Sequence, residues 1–104
     1  MKNGGDVEAR AASNIFWSVA TLRSKVPHLK RLLPAVLEVI EFCSPFFSAQ
    51  EVANIIWGCA KLQLQRPQLQ KVLPGLAKRA VDKADGLTGQ GVSNIIWSCA
   101  TLRL

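Results

Sequence analysis

Three asparagines and three tryptophans invite a chemical reading of this chain because they return at one interval: Asn14 and Trp17, Asn54 and Trp57, Asn94 and Trp97. A carboxamide both donates and accepts hydrogen bonds, and an indole offers a flat apolar face with one N–H donor. Neither is a nucleophile or a general base, so the pattern suits recognition rather than bond-making. Other chemistry-bearing residues are sparse. His28 is the single histidine, and Cys43, Cys59 and Cys99 have no Cys-x-x-Cys spacing, so neither a zinc site nor a disulfide framework is expected and a reducing compartment fits best. P-loop, dinucleotide-binding, zincin and nucleophile-elbow motifs are all missing. Glu38 and Glu41 share a helical turn without a partnering base and read as surface carboxylates. The chain is therefore not read as an enzyme, and no catalytic residue, metal or cofactor is expected.

The elements that carry these residues repeat with them. Asn14-Ile-Phe-Trp-Ser-Val-Ala-Thr-Leu22 returns as Asn54-Ile-Ile-Trp-Gly-Cys-Ala-Lys-Leu62 and as Asn94-Ile-Ile-Trp-Ser-Cys-Ala-Thr-Leu102, offset by 40 residues each time. Pro27, Leu29, Leu33 and Pro34 likewise return as Pro67, Leu69, Leu73 and Pro74. A period of this length marks a repeat architecture. Val52, Ile55, Ile56, Cys59 and Leu62 recur at three- and four-residue steps, and Ser48-Ala-Gln-Glu51 has capping-box form, which predicts a first helix over 48–64 with copies over 8–23 and 88–104. Leu69, Val72, Leu73, Leu76 and Ala80 predict a second helix over 67–83, opened by Pro67, with a copy over 27–42. Pro34 and Pro74 fall inside these second helices and should kink or break both. Turns are expected at Ser44-Pro45 and Asp85-Gly86.

The expected fold is all-α: an armadillo-like α-solenoid of stacked antiparallel helix pairs. It comprises about two and a half repeats, 8–47, 48–87 and an incomplete 88–104, in one domain spanning 1–104. With 49% hydrophobic and 19% charged residues among 104, the chain can build one small core and is not a disordered tail. The third repeat lacks its second helix, so Leu102 and Leu104 should leave an apolar face for further repeats of a longer array or for a protein partner. The longest uncharged stretch, 86–102, is too polar to span a bilayer, so no membrane association is expected, and the first residues show no targeting signal.

On the first helix the polar columns are Arg10/Gln50/Gln90, Ala11/Glu51/Gly91, Asn14/Asn54/Asn94, Ser18/Gly58/Ser98 and Thr21/Lys61/Thr101. An invariant Asn suits either a repeated ligand feature such as a nucleic-acid backbone, or a ladder of hydrogen bonds to the next unit. The tryptophans suit either stacking on bases or packing between the two helices of a unit with the indole N–H bonded inside the fold. Cys59 and Cys99 replace Val19 and read as small buried hydrophobes, and His28 as a surface residue. Thirteen Lys and Arg against seven Asp and Glu give a net charge of +6, carried mainly by the second helices and the turns before them, which suits a polyanion.

The Asn54–Leu62 motif, preceded by Gln50-Glu51-Val52-Ala53 and followed by Pro67 and a leucine-spaced helix, resembles the octotricopeptide repeat family. It is also similar to the heptatricopeptide and FAST-kinase-type leucine-rich repeats of organellar RNA proteins. The resemblance covers about 8–104. It implies binding of single-stranded RNA in a chloroplast or mitochondrion, serving processing, stability or translation of transcripts. By column it implies base-selecting positions at Arg10, Gln50 and Gln90, with Thr21, Lys61 and Thr101 as a second set. Together with the asparagine column, the candidate RNA contacts are Arg10, Asn14, Thr21, Gln50, Asn54, Lys61, Gln90, Asn94 and Thr101. The competing class is an armadillo- or HEAT-like scaffold holding an acidic peptide or a partner subunit.

Overall fold

The recurring apolar columns fold as helices throughout. The structure, a computed structural model, describes residues 4–23 and 25–104. Met1, Lys2, Asn3 and Ser24 lie outside the described residues, and with them half of the segment read for a targeting signal. Five α-helices follow in order among the described residues: α1 (Gly4–Leu22), α2 (Leu33–Cys43), α3 (Ala49–Lys61), α4 (Arg66–Asp82) and α5 (Gly89–Leu102). Short 3-10 segments at Pro27–Leu32, Ser44–Phe46 and Ala84–Gly86 join them, the last two where turns are expected. No strand occurs among the described residues.

The start of α3 follows its sequence signature. Ser48 Oγ accepts the Glu51 amide at 3.1 Å while Glu51 Oε1 accepts the Ser48 amide at 2.8 Å, satisfying two orphan donors of the first turn. At α5, Thr88 Oγ1 accepts from the Gly91 amide at 3.0 Å, and the reciprocal half is lost because position 91 has no side chain. The ends of α3 and α5 also repeat. Gln63 (φ 53°) and Arg103 (φ 60°) turn left-handed, and the amides of Leu64 and Leu104 return to the carbonyls of Cys59 and Cys99 at 3.1 and 3.0 Å.

The second helices differ between units. In the first unit the 27–42 segment breaks in two, a 3-10 stretch followed by α2, with Pro34 seated in the first turn of α2 where its missing amide costs nothing. In the second unit α4 is continuous and contains Pro74, so of the expected kink or break the break does not occur in this copy. The difference begins upstream. Gln68 Oε1 accepts the Gln65 amide at 2.9 Å and launches α4 as a regular helix, whereas the equivalent positions, Lys25 and His28, supply no such cap and Val26 has no side-chain cap bond. Gly75, directly after Pro74, allows α4 to approach Ser44: a Cβ there would lie 2.8 Å from Ser44 Oγ.

α3 lies between α1 and α5, α2 contacts α4, and α1 packs on α2 as α3 packs on α4. The first helices run in the same direction, as the close approaches Phe16–Gly58, Ala53–Gly91 and Lys61–Trp97 show. One connected core contains Phe16, Val19, Ile40, Phe47, Val52, Ile55, Cys59, Val72 and Leu76, all fully buried. Arg79 Nε donates to the Phe47 carbonyl at 2.7 Å, fastening α4 to the segment ahead of α3. Lys71 Nζ lies 3.6 Å from Glu38 and 3.9 Å from Glu41, joining α4 to α2 across an exposed surface; such pairs contribute about 0–1 kcal/mol. The Cα radius of gyration is 12.7 Å, close to the ~13 Å of a compact domain of this length, so two and a half units are too few to elongate the molecule.

Burial decays toward both ends of the α1–α3–α5 row. Val52 and Ile56 are buried, but their equivalents on α5, Val92 and Ile96, are exposed, as is Leu104. Ile55 is buried, and its equivalent Ile15 on α1 is exposed. Of the two leucines expected to leave an apolar face at the end of α5, Leu104 is exposed and Leu102 is half-buried against the core; the exposed apolar residues of this end are Val92, Ile96 and Leu104.

Candidate nucleic-acid interface

Residues 50, 54, 57 and 61 are separated by four, three and four positions, which places them in one line along a helix. The same line on α1 is Arg10, Asn14, Trp17 and Thr21, and on α5 Gln90, Asn94, Trp97 and Thr101. Because the three helices lie side by side, the lines become a grid of twelve side chains. All twelve are exposed or half-buried. Every candidate contact expected from the sequence falls on this grid.

The structure brings some of them together. Gln50, Asn54, Gln90 and Asn94 line one open groove of about 430 Å³ between the N-terminal halves of α3 and α5, floored by Ala53 and Gly91. Further along the same two helices, Lys61 Nζ lies 5.3 Å from the centre of the Trp57 ring and 5.8 Å from that of Trp97. Such a cation over an aromatic face contributes about 0.5–1 kcal/mol at an exposed site. Arg10, Asn14 and Thr21 continue the grid on α1 outside that groove, and Thr101 is exposed on α5. The Thr21 hydroxyl donates to the Trp17 carbonyl at 2.8 Å, as the Ser18 and Ser98 hydroxyls donate to the Asn14 and Asn94 carbonyls at 2.9 and 2.6 Å.

The asparagine ladder is not formed. Among the described residues the side chains of Asn14, Asn54 and Asn94 have no hydrogen-bond partner, and no buried side-chain polar atom lacks one, so their amide atoms face solvent. The indole N–H bonds expected of the tryptophans are not formed among the described residues either. Trp17 and Trp97 are each 47% exposed, Trp57 is half-buried, and no indole N–H is bonded within the described residues. Both corrections have one cause: the line of positions 50, 54, 57 and 61 points away from the second helices, and α3 packs on its neighbours through flanking columns. Gly58 does this most tightly, since a Cβ there would come within 2.6 Å of the Phe16 ring.

The three tryptophans therefore join the candidate site. Sequence reasoning could have placed them by spacing, since each stands seven residues after the Arg10/Gln50/Gln90 column and three after the asparagine. Other chemistry is absent from this face. Cys59 is fully buried and burial pushes its thiol up to about 12, so it stays protonated and inert at neutral pH. Burial, with the nearby Glu8 charge, also raises Cys43. His28 is exposed on the 3-10 segment. Among the described residues no group of His, Cys, Asp and Glu side chains could hold a metal ion, and no helix is long and apolar enough to cross a membrane.

No protein-family model, no curated protein and no solved structure matches this chain.

Proposed function

We propose that the chain is a helical-repeat module that binds single-stranded RNA across the exposed grid of α1, α3 and α5. In this reading the helix pairs stack as an α-solenoid of octotricopeptide type, and the module works on organellar transcripts in a mitochondrion or chloroplast. The observation that carries the proposal is the grid: two exposed tryptophans, a half-buried third and three unpartnered asparagine amides at one repeat spacing, with a lysine set against two of the indoles. Exposed aromatic faces interleaved with amides and cations fit unstacked bases, each stack adding about 1–3 kcal/mol, and repeat proteins can assign one base to each helical unit. Gln50 and Gln90 vary against Arg10 beside an invariant Asn, as base-selecting positions beside a backbone contact would. Two or three bases limit the affinity, and binding that weakens with salt is expected.

The test is a fluorescence-anisotropy titration of the folded chain with short single-stranded RNAs at two salt concentrations, beside duplex RNA and an acidic peptide. Saturable, salt-sensitive binding preferring single strands supports the proposal. Binding of the acidic peptide alone would assign the grid to a protein partner instead.

A further inference from the structure

The charges of this protein are sorted by edge. All seven acidic residues fall in three short stretches, 6–8, 38–51 and 82–85, which are the starts of first helices and the ends of second helices. The stretches 9–37, 52–81 and 86–104 contain none. Antiparallel pairing of the helices within a unit sets the two kinds of junction at opposite edges of the molecule. The edge where second helices lead into first helices is mixed, with Lys78, Arg79 and Lys83 beside Asp82 and Asp85. The edge where first helices lead into second helices is basic only.

Two grooves join parts of that basic edge in space as well as in pattern. Lys30, from the first junction, borders a surface groove with Gln63, Gln65 and Gln68 of the second, and Arg66 of the second borders another with Arg103 of the third. Lys25, Lys30, Arg66 and Arg103 are exposed, and none makes an ion pair or side-chain hydrogen bond among the described residues. Lys71 and Arg79, which the sequence pattern grouped with them, are held by Glu38 and Glu41 and by the Phe47 carbonyl and belong to the fold. The grid ends at this edge: Thr21, Lys61 and Thr101 occupy the last turns of α1, α3 and α5, and Arg23 and Arg103 follow two residues after the threonines.

From this placement we infer that the junction edge bearing Lys25, Lys30, Arg66 and Arg103 is a phosphate track for a single-stranded nucleic acid whose bases lie over Trp17, Trp57 and Trp97. The assignment rests on the single-strand reading above and adds a binding surface to it. A cation just beyond each of three successive first helices matches a ligand with one negative charge per repeating unit, and an edge free of Asp and Glu avoids the repulsion that the opposite edge would impose. Lys61 links the two parts, lying against Trp57 and Trp97 at the start of the edge.

The experiment compares two charge-matched variants of the chain, Lys25→Gln with Arg66→Gln on this edge and Lys78→Gln with Lys83→Gln on the other, each verified as folded by circular dichroism. Binding of a fluorescein-labelled single-stranded oligonucleotide is followed over a salt series. The expected result is a fall of about 1.4 in the slope of log affinity against log salt for the first variant, about 0.7 per lost phosphate contact, and an unchanged slope for the second. Equal slopes for both variants with binding retained would overturn the track and leave the grid standing. Failure of the unsubstituted chain to bind at low salt would overturn both, and equal competition by polyglutamate would reassign the edge to an acidic protein partner.

Discussion

Helices α3 and α5 share most of their sequence and differ in their neighbours. α3 has a first helix on each side, α5 on one side only. Ile56 is 4% exposed and its copy Ile96 64%. The asparagines and tryptophans change less: Asn54 and Asn94 are both half-buried, and Trp57 is half-buried where Trp97 is 47% exposed. The comparison separates two kinds of repeated residue. The apolar columns recur because each unit must bury its neighbour, and their environment follows the neighbour's presence. The grid columns stay exposed or half-buried in all three copies, so burial alone does not account for their repetition.

The largest effects should come from the apolar columns. Ile56→Ala leaves a cavity between packed helices and should cost about 2–4 kcal/mol in chemical denaturation, whereas Ile96→Ala, with little contact to lose, should cost under about 1 kcal/mol. Equal costs would show that α5 is packed like α3 and break the comparison.

A second prediction sharpens it at the contact between neighbouring first helices. Gly58→Ser places an atom inside the Phe16 ring's space and should destabilise by about 1–3 kcal/mol. Ser98 holds the equivalent position in α5, fully buried, and the residue of α3 that corresponds to Phe16 of α1 is the smaller Ile56. Adding Phe16→Ile to Gly58→Ser should therefore recover much of the loss, and a double variant as unstable as the sum of the singles would contradict this pairing.

The smallest effect concerns pH. The thiol of Cys59, ordinarily near 9.0, is raised to about 12 by burial. Between those values the unfolded chain has released a proton that the folded chain retains, so stability must fall as pH rises through that window. Cys59→Val, which copies Val19 of the first unit, should flatten part of this alkaline decline in thermal melts while changing stability little at pH 7. An unchanged slope would place the decline elsewhere, with Cys43 the next candidate.

Much of the helical framework is legible in the sequence because its signals are local. The Ser48/Glu51 cap, the three- and four-residue apolar steps and the turns at Ser44-Pro45 and Asp85-Gly86 act within a few residues of themselves. The fate of Pro34 and Pro74 is less legible, since it depends on whether a capped helix has already started upstream, as at Gln65–Gln68, and on the close approach that Gly75 permits. The candidate site is legible as a set of columns but not as a surface. A tryptophan is equally suited to a core and to a binding face, and an asparagine to a ladder and to a ligand. The choice is made by which columns the parallel neighbour covers, a property of three helices together that one helical wheel does not contain.

The most direct test of the grid is the single-stranded RNA affinity of a Trp57→Ala, Trp97→Ala chain measured by anisotropy beside its unfolding midpoint. One exposed and one half-buried stacking position predict a loss of about 1–3 kcal/mol per base, tenfold or more in affinity, with a midpoint close to that of the unsubstituted chain. Affinity unchanged in a folded double variant would contradict the account, as would a chain that loses binding only because it has unfolded.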